Sequence, residues 1–447
     1  MIARTVHSLL LGTALLAAAP ALAADATPAT WIHAGHLLDQ PGKAPRGPAT
    51  IVVVAGKVAE VRDGTLAAPA GATVIELGDS YVLPGLTDMH VHFYSDGDPV
   101  KARMEEATRD SEDAVLLAAA HARTTLLAGF TTVRDLGGEP RGIRALRDAI
   151  ERGDIDGPTI INAGQMLSVA GGHGDLGGYS REAYDAFHPK DYNNVCNGAD
   201  DCRRATREQI RLGAQVIKFA ATGGVLSNVA GGIGQQMTAE EMKAIIDTAH
   251  GFGRKVAAHS HAKAGTMAAV EAGVDTIDHG TFLDDATVKA MIAHGTWLVP
   301  TMLAPRAALA NARAGKLPPA MVPKAEEAAA AALASHKLAF KAGVKIAFGT
   351  DTGVSKHGDN AQEFKLMVEA GMTPMQAIAA ATTGAAEALG RSDTVGRIAP
   401  GMPADIIAVK GDPLADVTRL EHVSFVMRHG KVISGKVISG KVISGAK

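Results

Sequence analysis

Side chains that can bind metal ions stand at the ends of several short β-branched segments of this chain. Imidazole nitrogens and carboxylate oxygens are ligands of Zn²⁺ and related cations. His90 and His92 are two residues apart, so on a strand both side chains point to the same side. One histidine after an apolar strand is usually a core residue, but the pattern recurs at five strand ends. It predicts a metal site formed by His90, His92, Lys218, His259, His279 and Asp351.

Lys218 is the residue that such a site explains best. It lies within the apolar run QVIKFAA, where an unpaired ammonium would be buried at high cost. Burial lowers the pKa of a lysine, and a neutral amine can react with carbon dioxide to form a carbamate. A carbamate is an anionic oxygen ligand that can bridge two cations. We therefore expect Lys218 to be an N6-carboxylysine between two divalent metal ions, and the chemistry to be hydrolytic.

The elements that must position these side chains alternate between strands and helices. Residues 81–390 contain eight short β-branched runs, separated by Ala-rich stretches of helical period such as 113–128 and 239–251. Eight such units predict a (β/α)8 TIM-type barrel, whose C-terminal strand ends form the active-site mouth. An open doubly wound sheet fits the periodicity too, but the Gly-rich phosphate turn that would favour it is absent from the sequence. The barrel brings six residues scattered over more than half of the chain to one place.

The two ends of the chain have a different, strand-rich pattern. ATIVVVAGKVAEV and GATVIEL precede the barrel, and ADIIAVK and HVSFVMRHGKVIS follow it, with Gly and Pro between the runs. This predicts a small β-sandwich domain assembled from residues 24–80 and 391–447. The tail repeats GKVIS three times, and no function follows from the repeat.

The N-terminus has the order of a secretory signal peptide. Arg4 precedes an apolar run over residues 9–19, which ends before the small-residue site Ala21-Leu22-Ala23. The run is too short to span a bilayer. We expect residues 1–23 to be removed on export to the periplasm or the medium, with no membrane association afterwards. The formal net charge of −3 and the lack of a basic run argue against a nucleic-acid partner.

Cys196 and Cys202 are the only two cysteines, and they lie in the polar loop NNVCNGADDC. A zinc site would need two further ligands, and none is near in the sequence. In an exported protein a disulfide is the favoured interpretation, with two free thiols as the alternative.

DMHVHF, the strand-end lysine, the two later histidines and the final aspartate resemble the metal-dependent amidohydrolase superfamily. The resemblance covers nearly the whole chain after the signal peptide and includes GRIAPGMPADIIAV. Within the superfamily, TTVRDLGG, KFAATGGVLS and VEAGVDTIDHGTFLDD are similar to exported Xaa-Pro and Xaa-Arg/Lys dipeptidases. They are also similar to ochratoxin-hydrolysing amidohydrolases.

The resemblance implies a role for each ligand. One metal ion would be held by His90, His92 and Asp351, and the other by His259 and His279. Carboxylated Lys218 and a hydroxide would bridge the two ions, which are expected to be Zn²⁺, with manganese or cobalt as substitutes. Asp351 would take the proton of the attacking water and deliver it to the leaving nitrogen. The resemblance also implies a homo-oligomer, for example an octamer.

Four residues around this centre are candidates for substrate contact. His173 lies in the Gly-rich segment VAGGHGDLGG and could bind a carboxylate or polarise the carbonyl, although loop packing would also explain it. His261 shares a strand face with His259. Gly223 and Gly224 form a turn after Lys218, whose backbone N–H groups could receive an anion.

The predicted function is hydrolysis of the amide bond to the C-terminal amino acid of dipeptides or N-acyl amino acids, with ochratoxin A a plausible substrate. Alternatives are a strict Xaa-Pro dipeptidase, a cyclic-amide hydrolase resembling imidazolonepropionase, and a non-catalytic scaffold. Imidazolonepropionases use one metal and lack the bridging lysine, so Lys218 argues against that alternative. A scaffold would be expected to lack some ligands, whereas all six are present here.

Overall fold

The computed structural model describes residues 29–175, 180–187, 194–228, 231–438 and 441–443. The expected signal peptide, residues 1–23, lies outside the described residues. Among those described, no helix combines the length and the apolar character that crossing a membrane requires.

The described strands are β1 Thr30–Leu37, β2 Ala49–Val54, β3 Lys57–Asp63, β4 Thr73–Pro84, β5 Leu86–Val91, β6 Phe130–Asp135, β7 Thr159–Asn162, β8 Val216–Ala220, β9 Lys255–Ser260, β10 Thr276–His279, β11 Trp297–Val299, β12 Ile406–Lys410, β13 Val423–Arg428, β14 Lys431–Ser434, β15 Lys436–Ile438 and β16 Lys441–Ile443.

The helices are α1 Pro99–Thr108, α2 Ser111–Leu127, α3 Pro140–Arg152, α4 Arg181–Phe187, α5 Ala199–Arg211, α6 Ala239–Gly251, α7 Lys263–Glu271, α8 Asp285–His294, α9 Leu303–Arg313, α10 Val322–Ala342, α11 Gln362–Glu369, α12 Pro374–Ala379 and α13 Ala385–Leu389, with a π-helix at Ala380–Gly384 and a 3₁₀ helix at Val417–Glu421.

The predicted barrel is confirmed. Strands β5-β6-β7 and β8-β9-β10-β11 pair in parallel within two arcs. The N–H of Gln215 donates to the carbonyl of Asn162 and joins β7 to the start of β8. On the other side residues 345–351, the predicted eighth strand, lie between β11 and β5 without a regular ladder. Ala347 N donates to the carbonyl of Leu298, and Asp351 N to that of His90, so this segment closes the ring.

The small β domain also uses both chain ends, as predicted. Its strands hydrogen-bond in the order β14-β13-β12-β4-β1-β2-β3, so β4 from the N-terminal part pairs directly with β12 from the C-terminal part. They form one mixed sheet rather than two separately hydrogen-bonded sheets of a sandwich. The sheet bends over itself, because Lys57 at the start of β3 pairs with Pro403 just before β12. Alternate residues of β1, β4 and β12 therefore share one apolar core.

One glycine allows the small domain to continue into the barrel. β4 ends at Pro84 and β5 begins at Leu86, and a Cβ at Gly85 would lie 2.1 Å from Oγ1 of Thr131 on β6. The N–H of Gly85 donates to the carbonyl of Asp405, next to β12. The strand that carries His90 is thus fixed to both chain ends.

The two cysteines are joined in a disulfide, and both are buried beside the start of α5.

Candidate metal centre

All six predicted ligands line one pocket at the C-terminal ends of the barrel strands. His90 lies on β5 and His92 in the loop directly after it. Asp351 lies in the closing segment beside them. The Nε2 atoms of His90 and His92 are 3.2 Å apart, and Oδ1 of Asp351 lies 3.5 Å and 3.2 Å from them. Asp351 has a positive φ of 57°, which turns its carboxylate toward the histidines. Three electron-pair donors therefore face one point.

A second group of donors lies at the ends of β9 and β10. His259, His261 and His279 each offer a nitrogen, and these atoms lie within 4.8 Å of one another. Donor atoms of His90, His279 and Asp351 also lie within that distance, so His279 stands between the two groups. The sequence interpretation had placed His261 outside the ligand set. The structure places it directly against the ligands, with its ring centroid 4.6 Å from that of His259.

The Nδ1 atoms of two ring side chains contact the protein, so that their Nε2 atoms can face a metal ion. Nδ1 of His279 lies 2.7 Å from Oγ1 of Thr301, and Nδ1 of His92 lies 3.2 Å from the carbonyl of Gly137. Such partners fix the orientation of metal-binding imidazoles. Nε2 of His259 is buried and has no hydrogen-bond partner among the residues that the structure describes. A buried polar atom without a partner is costly, and a metal ion would satisfy it, so these residues fit the group that the sequence predicts.

The pKa of His92 is raised, because Asp351 and Asp135 outweigh the effect of burial, whereas burial makes the other histidines of the centre neutral. Burial lowers the pKa of His90 to about 4, with a further contribution from Lys218, and it lowers the pKa of His261 to about 3. It also holds the pKa values of His259 and His279 well below their usual range. For Asp351 burial acts to raise the pKa, but His90 and His92 outweigh it, so the pKa is lowered and the carboxylate is ionised. Neutral imidazole and ionised carboxylate are the ligand forms of metal sites.

Lys218 lies on β8 at the base of the pocket and is fully buried. The sequence argument treated its ammonium as unpaired, but the structure provides a partner, since Nζ donates to Oδ2 of Asp278 at 3.1 Å. Burial nevertheless lowers the pKa of Lys218 below its usual range.

Asp278 is the residue of the centre that the sequence interpretation missed. It lies on β10 directly before His279, and its carboxylate accepts hydrogen bonds from Arg134 on β6 and from Lys218. Oδ2 also lies 2.8 Å from Nδ1 of His90. The signal that could have revealed it is a pair of opposite charges inside two apolar strands, in TTVRDL and TIDHG.

His173 lies in the pocket as expected, with its ring centroid 4.1 Å from that of His259. Burial lowers its pKa to about 4, so the ring is neutral. Gly224 makes room for it, because a Cβ there would lie 2.2 Å from the imidazole.

The N–H groups of Gly223 and Gly224, expected to bind an anion, are hydrogen-bonded within the protein. The N–H of Gly223 donates to the carbonyl of Gly234, and the N–H of Gly224 donates to Oγ of Ser227. Both N–H groups are engaged within the protein, so the contribution of these glycines is close packing and not anion binding.

The pocket is a cavity of about 270 Å³, with the histidines at its base and an apolar wall above them. The wall comes from the loops after β7, β8 and β11, from the loop after the closing segment, and from α9 and α10. Its side chains are Met166, Val225, Leu226, Pro300, Ala304, Pro305, Ala308, Ala328 and Val354. Such a site binds a small molecule that is largely apolar and is held by a few polar groups.

Comparison with known proteins agrees with this geometry. The sequence profile of the amidohydrolase family matches residues 81–442. Ochratoxinase of Aspergillus niger is 33% identical over 429 residues, which are 91% of this chain and 87% of the relative. A Xaa-Pro dipeptidase crystallised with methionine in its active site is 38% identical, with a TM-score of 0.87 over 91% of this chain and 100% of that one. A prolidase complexed with N-methylphosphonate-L-proline is 30% identical, with a TM-score of 0.81 over 91% of this chain and 99% of the other.

The profile spans most of the chain and the relatives cover nearly all of it. With the buried histidine and aspartate groups at the mouth of its barrel, this chain belongs to the amidohydrolase family and is a metal-dependent hydrolase related to ochratoxinase and the prolidases.

Proposed function

We propose that the protein holds two divalent metal ions and hydrolyses the amide bond to the C-terminal amino acid of dipeptides or N-acyl amino acids. The observation that carries the proposal is the convergence of the histidines, ionised Asp351 and buried Lys218 at the base of one apolar pocket. The relatives that support the substrate class are A. niger ochratoxinase and the Xaa-Pro dipeptidase.

The ligands divide into two overlapping groups around Lys218. His90, His92 and Asp351 would hold one ion, and His259 and His279 the other. We propose Zn²⁺, since imidazole and carboxylate without thiolate suit it. Lys218 fits the bridging position as a carbamate because burial favours its neutral amine, which can add to carbon dioxide with loss of a proton. The bound metal ions would lower the pKa of a water molecule and polarise the scissile carbonyl.

The chain's own residues then move the protons and fix the geometry. Asp351 accepts the proton of the attacking water and gives it to the departing nitrogen, since an amine leaves poorly without a proton. Thr301 holds the ring of His279, and Asp278 holds the ring of His90.

A strict Xaa-Pro dipeptidase is the second candidate. It is favoured by the Xaa-Pro dipeptidase at 38% identity and by the prolidase that binds a proline phosphonate. The two candidates differ in the shape of the pocket for the leaving amino acid and not in the metal centre.

The test compares wild-type protein with Lys218→Ala and with Lys345→Ala, an exposed lysine that pairs with Glu387. We expect about two zinc ions per wild-type chain by elemental analysis, and hydrolysis of N-acyl amino acids, Xaa-Pro, Xaa-Arg or Xaa-Phe dipeptides, or ochratoxin A. Lys218→Ala should lose metal and at least ~10³-fold in kcat/KM, as expected for a disrupted metal centre, whereas Lys345→Ala should match wild type. Short carboxylic acids should restore part of the activity of Lys218→Ala.

Two results would count against the proposal. Wild-type protein with well under one metal ion per chain, inactive after addition of zinc and bicarbonate, would refute the enzymatic role. Full activity of Lys218→Ala would refute the bridging role alone. Cleavage confined to Xaa-Pro dipeptides would select the second candidate.

We also propose that residues 1–23 are removed on export and that the mature chain is a homo-oligomer. The order of basic residue, apolar run and small-residue site supports export. N-terminal sequencing of protein from the periplasm of an expressing bacterium should begin at residue 24, and light scattering should give a mass of several chains.

A further inference from the structure

A half-buried lysine stands above the apolar wall of the pocket. Lys324 is the third residue of α10, and its Nζ donates to the carbonyl of Gly224 at 3.1 Å and to the carbonyl of Ser227. Between these two carbonyls lie Val225 and Leu226, which line the pocket. Ala328, one turn further along the same face of α10, lines it too. The ammonium therefore lies next to the rim of the pocket.

Lys324 has no negative partner among the described residues. Other lysines form ion pairs, such as Lys218 with Asp278 and Lys316 with Asp98. The two hydrogen-bond acceptors of Lys324 are neutral carbonyls. An ammonium has three N–H donors, so one donor is left after these two bonds. A partly desolvated cation without a counterion is a favourable place for an anion.

The position of Lys324 differs from that of the charged groups inside the pocket. Apart from the histidines, the charged side chains that line the cavity are Lys218 and Asp351, and both lie at its base. Lys324 thus adds a positive charge on the rim side.

We propose that Lys324 binds the carboxylate of the substrate, so that it selects amides with a free C-terminal carboxylate. The substrate class is then an acyl amino acid or dipeptide whose carboxylate faces Lys324 and whose apolar group lies against the alanine and proline wall. This inference rests on the proposed function for its reaction, but not for the binding that it predicts.

The competing explanation is that Lys324 only ties the loop Gly224–Ser227 to α10. The two explanations are separated by a matched pair of substrates, an N-acyl amino acid and its C-terminal carboxamide, which differ in charge at one group. The variants are Lys324→Met, which removes the charge, and Lys324→Arg, which keeps it. Lys337→Met changes an exposed lysine on the same helix and serves as the control.

Wild type, Lys324→Arg and Lys337→Met should prefer the acid over the carboxamide. Lys324→Met should lose about 10- to 100-fold in kcat/KM for the acid, as for loss of one partner of a partly buried charge pair, with little change for the carboxamide. An equal loss for both substrates, or no preference in wild type, would overturn the inference. If Lys324→Met does not fold, Lys324→Gln is measured in its place.

A binding measurement separates this inference from the proposed function. The Kd of the acid and of the carboxamide is measured by calorimetry with Asp351→Asn, with and without Lys324→Met. Acid-selective binding that is lost in the double variant supports the role of Lys324 even if no amide is cleaved. Turnover without any effect of Lys324→Met on the acid preference would leave the proposed function intact and refute the inference.

Discussion

Replacement of Asp278 by asparagine should strongly destabilise the metal-free protein. The carboxylate is fully buried between Arg134 and Lys218, whose side chains are each 1% exposed. Asparagine keeps the shape but not the charge, so two cations remain buried without a counterion. Removal of one partner from a buried ion pair costs about 3 to 5 kcal/mol. With an unfolding entropy of about 0.9 kcal/mol/K for a chain of this length, the melting temperature should fall by about 3 to 5 °C.

The assay is thermal and urea unfolding of chelator-treated protein, followed by circular dichroism. Asp247→Asn is the matched control, because Asp247 forms an exposed pair with Lys243 on α6 that is worth only about 0.3 to 0.5 kcal/mol. In Asp278→Asn the pKa of Lys218 should fall further, since Asp278 acts to raise it. Release of that proton relieves the buried charge, so the penalty should shrink as the pH rises above 7.

Two outcomes would refute this reasoning. One is a change in Asp278→Asn below about 1 kcal/mol, or no larger than in Asp247→Asn, which would mean that the buried charges do not depend on one another. The other is a penalty that grows with pH, which would contradict the assignment of the buried charge to Lys218.

Two further predictions concern pH and packing. Burial raises the pKa of Glu363 from 4.5 to about 8, although its oxygens accept backbone N–H groups at the start of α9. The folded state then holds a proton that the unfolded state releases, so the stability contributed is complete below about pH 4.5 and is lost as the pH rises through 8. The free energy of unfolding of wild type should therefore fall relative to that of Glu363→Gln between pH 5 and pH 8, and parallel urea-denaturation profiles would contradict this. Gly224→Ala places a Cβ 2.2 Å from the ring of His173 and should lower kcat/KM about 10- to 100-fold by displacing it. Gly251→Ala, where nothing lies within 4 Å of the added Cβ, should match wild type in the same amide-hydrolysis assay.

The alternation of strand-like and helix-like runs was sufficient to predict the barrel, and the residue types at the strand ends to predict the convergence of the six candidate ligands. That inference needs only local information, because the two-residue period of a strand and the common direction of parallel strands decide where each strand-end side chain points. His90 and His92 illustrate this, since their relation to each other is set by two residues of one segment. The β domain of both chain ends followed from the same kind of local pattern.

The partners of these residues were decided by the tertiary structure. Arg134 and Asp278 are 144 residues apart and meet only because the barrel closes with a particular register. The ammonium of Lys324 reaches the loop after β8 only because α10 packs above it. The N–H groups of the Gly223–Gly224 turn, which the sequence left open to an anion, are bonded within the folded loop, to Gly234 and Ser227. A residue's type and strand position can be predicted from the local sequence, whereas many of its hydrogen-bond and ion-pair partners depend on how distant segments come together in the folded chain.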